Sequence, residues 1–291
     1  MHVVNVFSAG PGGGNPAPIV LDAAGMSDRE MRAVALASGH ESGFVIPAAP
    51  DSSDDFEFRF WVPNHEMSMC GHATIGAVWL LHHVGRISSD GVNVRTASGL
   101  VVAKIDDTDP AHVVVEISQP EGVVEALPDP ADARAEICEV LGTTPDQLAE
   151  LPVLNARTSR VKTLVPMRSV AALTALAPEF DRVEAMCTRI GSTGLYPYAV
   201  IDRERRRFDA RQFPQSSGYR EDPATGIAAA ALAFGLVQTG TVERTAAPIL
   251  VSQGVAMGRP STISVRFEAA NSGGGCWIGG SAELGTQEVS N

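Results

Sequence analysis

The chain has little of what marks several large protein classes. Among its 22 basic residues only Lys104 and Lys162 are lysines, and 34 acidic residues leave a formal charge of −12. That charge repels phosphate backbones and no basic stripe runs along the sequence, so no nucleic-acid partner is expected. No apolar run approaches the roughly 18 residues that cross a bilayer, so no membrane partner is expected. The opening MHVVNVFSAG has neither a basic leader nor an apolar core, so no signal peptide is expected. The four cysteines, Cys70, Cys138, Cys187 and Cys276, form no CxxC pair and read as reduced thiols of a cytoplasmic protein. The histidines lack zinc-ligand spacing, so no metal is expected. GxSxG and HExxH are absent. GPGGGNP at 10–16 lacks the Lys-Ser/Thr of a phosphate loop and reads as a turn.

What is present is enough to bury a full core. The 291 residues are 44% apolar and 19% charged, which excludes a disordered chain, and at about 150 residues per domain they suggest two domains. A Pro-, Glu- and Asp-rich stretch at 119–130 reads as the linker, giving domains 1–120 and 121–291 with the last strand free to return to the first. Strands are expected at 3–9, 18–22, 41–47, 55–63, 92–98, 100–106 and 112–118, and later at 195–201, 206–213, 248–252, 261–267 and 276–284. Ser27 with Glu30 forms a capping box for a helix over 27–37, with Gly39 as its terminating glycine. Further helices are expected at 131–141, 145–151 and 169–176. The segments 72–84 and 225–237 are apolar nearly all round, the mark of a buried helix.

The two halves repeat one order of elements. RFWVP leads through a short loop to CGHATIGAVWLL in the first half, as RRFDARQFP leads to EDPATGIAAAAL in the second, and strand–turn–strand pieces follow each. A wholly apolar helix keeps one polar feature, the unpaired N–H groups and partial positive charge of its first turn. Both helix starts are crowded with small or polar residues, Gly71, His72 and Ala73 in one half and Asp222, Thr225 and Gly226 in the other. If the halves face each other, these two starts suit a substrate carboxylate; ordinary capping and tight packing are the plainer alternative. His72 at one start is pushed toward neutrality. Asp222 fits two roles, orienting that histidine or capping its own helix. Glu41, between a helix end and an apolar strand, fits either a part-buried proton shuttle or a solvated loop carboxylate.

These residues carry a resemblance. FSAGPGGGNPAPIVL (7–21), HESGFV (40–45), RFWVPNHEMSMCGHATIGA (59–77), RRFDARQFP (206–214), EDPATGIA (221–228), QGVAMGRPSTISV (253–265) and WIGGSAEL (277–284) resemble the PhzF family of phenazine-biosynthesis-like isomerases over nearly the whole chain. The resemblance implies an α+β, diaminopimelate-epimerase-like fold of two pseudo-symmetric domains, each with a sheet wrapped around a central apolar helix. It implies a homodimer without cofactor or metal, and an isomerase in which Glu41, His72 and Asp222 are catalytic. Backbone donors at Gly71 and Gly226, with Ala73, Thr225 and Ile227 beside them, hold the substrate carboxylate on the same basis. The implied substrate is a small cyclic or conjugated amino or imino acid, such as a dihydro-hydroxyanthranilate or a pyrroline carboxylate. Two positions depart from the family pattern. Ile227 stands where a serine is common, which favours an alkyl-bearing substrate over the namesake one. The two thiols of related racemases match Cys70 and Pro223, so two-thiol racemisation is not available and Cys70 reads as a small packed residue. An epimerase using Glu41 and Asp222, and a non-catalytic binding protein on the same scaffold, are the alternatives.

Overall fold

The computed structural model describes residues 1–268 and 274–285. The chain divides into two compact units, Met1–Ser118 with the chain from Gly279 onward, and Gln119–Ile278.

The first unit is built from β1 (His2–Val6), β2 (Asn15–Val20), α1 (Asp28–Ser38), β3 (Ser42–Pro47), β4 (Phe56–Trp61), the two-residue β5 (Glu66–Met67), α2 (Gly71–His83), β6 (Val92–Thr96), β7 (Gly99–Asp106) and β8 (Val114–Gln119). The second holds β9 (Val123–Ala126), α3 (Pro130–Val140), β10 (Leu154–Arg157), β11 (Lys162–Met167), α4 (Val170–Thr174), α5 (Phe180–Arg189), β12 (Gly194–Asp202), β13 (Arg207–Ala210), β14 (Phe213–Pro214), α6 (Gly226–Gln238), β15 (Ile249–Gln253) and β16 (Ser261–Phe267). The last strand, β17 (Cys276–Leu284), pairs antiparallel with β1, Val6 opposite Ala282.

The repeat seen in the sequence is present in the ladders. In the first unit β1–β2 is antiparallel, β2–β3 parallel, β3–β4 antiparallel, β4–β6 parallel and β6–β7 antiparallel. In the second, β10–β11, β11–β12, β12–β13, β13–β15 and β15–β16 follow the same alternation. One apolar helix follows the short strand in each series. α2 packs on β1, β2 and β3, and α6 on β10, β11 and β16. Residues His72–Leu81 of α2 are all buried. Full burial of side chains such as Ile75, Leu80 and Leu81 contributes about 1.5–3 kcal/mol each. Glycine permits this close approach: a Cβ at Gly76 would lie 3.0 Å from Val6 Cγ2, and one at Gly235 2.3 Å from Leu164 Cδ1.

The capping box of α1 is formed, with Ser27 accepting from the Glu30 amide, and Gly39 ends the helix at φ 68°. Other expectations are corrected. The strand expected over 3–9 stops at Val6, because Phe7 turns into the left-handed region at φ 66°. The stretch 119–130, read as a linker, carries β9. The helix expected at 145–151 is one 3-10 turn, Pro145–Gln147; Leu148 is already extended, and Leu151 precedes Pro152, which disfavours helix there. The strand expected over 206–213 is split at Arg211–Gln212 into β13 and β14. β10, β11 and α5 had no expectation. Lys162 and Pro166 hide the buried strand β11, whereas the apolar spacing of Phe180, Val183, Met186, Cys187 and Ile190 would have found α5.

All four cysteines are free and buried. Among the described residues, no helix is long and apolar enough to cross a membrane.

Candidate active site

In the first unit the chemistry gathers at the start of α2. Cys70 is the N-cap, extended at φ −137° and ψ 110°, and its side chain makes no cap hydrogen bond. The first-turn N–H groups thus receive no bond from the N-cap side chain, which suits an anion site. Glu41 immediately precedes β3, and α2 packs on β3. That packing brings the carboxylate to the helix start. Cys70 Sγ donates to Glu41 Oε2 at 3.1 Å and lies 3.4 Å from His72 Nδ1. His72 Nδ1 is 3.5 Å from the same carboxylate oxygen. Cys70 and His72 are buried, and the Glu41 side chain keeps 14% of its exposure.

Burial pushes the His72 imidazole below its ordinary pKa, and the Glu41 charge only partly opposes this. A backbone hydrogen bond at Pro16 likewise opposes the shift only in part. Nδ1 faces Glu41 and Cys70. A carboxylate, a thiol and a neutral imidazole at a helix start can take, hold and return a proton. Cys70 is therefore more than a packed residue: it is buried as expected, but its thiol is a polar partner of Glu41. Its place two residues before His72 marked it as near the site, but the contact with Glu41 spans 29 positions and carries no local signal.

The second unit holds its candidates around the start of α6. Thr225 is the N-cap, extended at φ −127° and ψ 92° and without a side-chain cap. The N-cap position is thus held by Thr225 rather than Asp222, whose carboxylate accepts from the Thr225 hydroxyl. Gln253 at the end of β15 organises the rest. Its Nε2 donates to the Asp222 carbonyl at 2.7 Å and to Thr225 Oγ1 at 3.2 Å. Its Oε1 accepts from the Thr225 amide at 3.3 Å and from the Tyr196 hydroxyl at 3.0 Å. The orientation of this amide is thus fixed by two donors and two acceptors. Gly254, at φ 77°, lets the following loop lie against Pro223, whose carbonyl oxygen would be 2.6 Å from a Cβ there. Arg211 clamps Glu221 with two bonds of 2.9 and 2.8 Å. Gln253 was missed as a site residue, although it heads the motif QGVAMGRPSTISV.

The site residues expected from the sequence thus fall in two sets. Glu41, Gly71, His72 and Ala73 lie together in the first unit, and Asp222, Thr225, Gly226 and Ile227 in the second. Ile227 is the one residue of the stretch 226–236 that keeps partial exposure. Tyr196 is fully buried and supports Gln253, and Tyr198 and Trp61 are buried as well.

Comparison with known proteins identifies the family and the fold. The family described as "Phenazine biosynthesis-like protein" matches residues 4–282. The trans-2,3-dihydro-3-hydroxyanthranilate isomerase of Pseudomonas aeruginosa is 28% identical over 272 residues, covering 92% of this chain and 90% of that protein. The crystal structure of a Bacillus anthracis phenazine biosynthesis protein of the PhzF family superposes with a TM-score of 0.86 at 23% identity, covering 97% and 95% of the two chains. A probable proline racemase from Agrobacterium radiobacter matches with a TM-score of 0.64 at 14% identity, covering 99% and 92%, a likeness of fold alone.

Proposed function

The chain belongs to the phenazine biosynthesis-like family and is a PhzF-like isomerase, and on that basis we propose that it moves a double bond, or tautomerises, a small cyclic or conjugated amino or imino carboxylic acid without a cofactor. The observation that carries the reading is Glu41 Oε2, held by the Cys70 thiol beside a neutral His72 at the uncapped start of α2. In this reading Glu41 removes a proton from one carbon of a flat substrate and returns it to another. General acid–base work of this kind supplies about 10²–10⁴-fold in rate. The N–H groups of Gly71, His72 and Ala73 hold the carboxylate and favour the charge that develops on it. Asp222, held by Thr225, is proposed as a further catalytic group, with Gly226 as a donor. Ile227, partly exposed at the start of α6, is proposed to favour an alkyl substituent. A homodimer in the cytoplasm belongs to the same proposal.

The test is a panel of dihydro-hydroxyanthranilate-type and alkylated pyrroline carboxylates incubated with the protein in D2O. NMR is expected to find deuterium at the carbon that gains the hydrogen, with the double bond moved. No turnover of any member contradicts the substrate class. One second reading is an epimerase with Glu41 and Asp222 as its two acids, the latter held by Thr225 at the start of α6. Deuterium entering a stereocentre with no double-bond shift supports that reading instead.

A further inference from the structure

The start of α2 holds an arrangement that proton shuttling does not itself require. Among the described residues, Glu41, Cys70 and His72 form the one group of three whose possible ligand atoms all lie within 4.8 Å of one another. From the atoms that face each other, we infer that this triad is a binding site for a thiophilic divalent cation, Zn2+ above all, and that occupation of the site switches the protein off.

The argument rests first on lengths. With Zn–S of about 2.3 Å and Zn–N and Zn–O of about 2.0 Å, a tetrahedral ion separates its sulfur from its nitrogen or oxygen ligand by about 3.5 Å, and nitrogen from oxygen by about 3.3 Å. The corresponding distances here are 3.4 Å for Cys70 Sγ to His72 Nδ1, 3.1 Å for Cys70 Sγ to Glu41 Oε2, and 3.5 Å for His72 Nδ1 to Glu41 Oε2. The three atoms thus form one face of a coordination tetrahedron to within a few tenths of an ångström.

Chemistry gives the second support. The imidazole has a backbone hydrogen bond at Pro16, the kind of outer-shell contact that fixes ring orientation in many metal sites, while its Nδ1 faces the other two ligands. The donor set is one sulfur, one nitrogen and one carboxylate oxygen, which suits Zn2+ better than the oxygen-seeking Mg2+ or Ca2+. On binding, the Cys70 thiol gives its proton to solvent and the thiolate bonds the ion. His72 contributes the Nδ1 lone pair and Glu41 an oxygen already carrying charge. Thiolate and carboxylate together neutralise the dication, so little net charge is buried. The fourth ligand position is left to water or a substrate carboxylate. Entry is from the side of Glu41, the most exposed of the three.

The consequence deepens the proposed function, since an ion on Glu41 Oε2 occupies the lone pair that would take the proton. The binding test needs no substrate, so it stands or falls apart from the isomerase reading. Metal-stripped protein is titrated with Zn2+ by calorimetry in buffers of different ionisation heat, and with Co2+ by absorption spectroscopy. One equivalent is expected to bind with release of a proton, and Co2+ is expected to show a thiolate charge-transfer band. In Cys70→Ala and His72→Gln, affinity is expected to fall by about 100-fold or more, beyond the 10–100-fold typical of losing an outer-shell partner. Cys187→Ala, altering a buried thiol in the other unit, is expected to bind as the parent does. Cys70→Ser serves if the alanine variant unfolds; it keeps the shape and must lose the cobalt band. Failure of the parent to bind, or undiminished binding in the folded Cys70 and His72 variants, overturns the inference.

Discussion

Thr225 illustrates how single residues set the site. Its hydroxyl is a hydrogen-bond donor to the buried Asp222 carboxylate, and its amide bonds Gln253. Thr225→Val keeps the shape and removes the donor. Hydrogen bonds to charged groups contribute about 1.5–3 kcal/mol, so a stability loss of that size is expected in urea unfolding. Ile227 bears on selectivity. A polar Ile227→Ser is expected to lower kcat/KM for an alkylated substrate relative to its unsubstituted analogue by about 10-fold, the scale of a small apolar contact; an unchanged ratio contradicts the role proposed for Ile227. At this scale the sequence was partly readable. The residue types at both helix starts, and the family motifs, pointed to Glu41, His72 and Asp222. The Cys70–Glu41 contact was not legible, since it spans 29 positions and exists only because β3 and α2 pack together. Gln253 was hidden likewise, reaching Asp222 across 31 positions.

Among the elements, the helices show which local signals survive folding. α1 was legible because its signals are chemical and local: Ser27 and Glu30 satisfy each other's backbone groups. Ser27→Ala is expected to cost about 1 kcal/mol, read as a lowered unfolding midpoint, with activity unchanged. α2 and α6 were legible because a segment apolar on every side has to be buried. β11 was not, since it carries Lys162 and Pro166 and is nonetheless fully buried. The 3-10 turn at 145–147 shows the reverse case, where helix-like composition yields to Pro152 beyond it.

For the whole molecule, the repeated order of ladders explains how each apolar helix is set against a sheet with its start left polar. The chain enters the second unit at Gln119 and leaves it at Ile278, and Glu121 ties the two passages within that unit. Its carboxylate accepts from Arg244 at 2.6 and 2.7 Å and from the Gly275 amide at 2.6 Å. The Arg244 bonds hold the Glu121 carboxyl below its ordinary value of 4.5. A carboxyl depressed on folding stabilises the fold above its unfolded value, and that contribution is lost as pH falls below about 4.5. Glu121→Gln is expected to flatten the fall in melting temperature below that pH; a curve parallel to the parent's contradicts the assignment.

Proton transfer at residue 41 can be watched directly. The rate at which solvent deuterium enters the accepted substrate is compared for the parent and for Glu41→Gln, with circular dichroism to verify folding. A drop of about 10²–10⁴-fold with an unchanged spectrum is the predicted result. Exchange at the parent's rate in the folded variant would contradict the account.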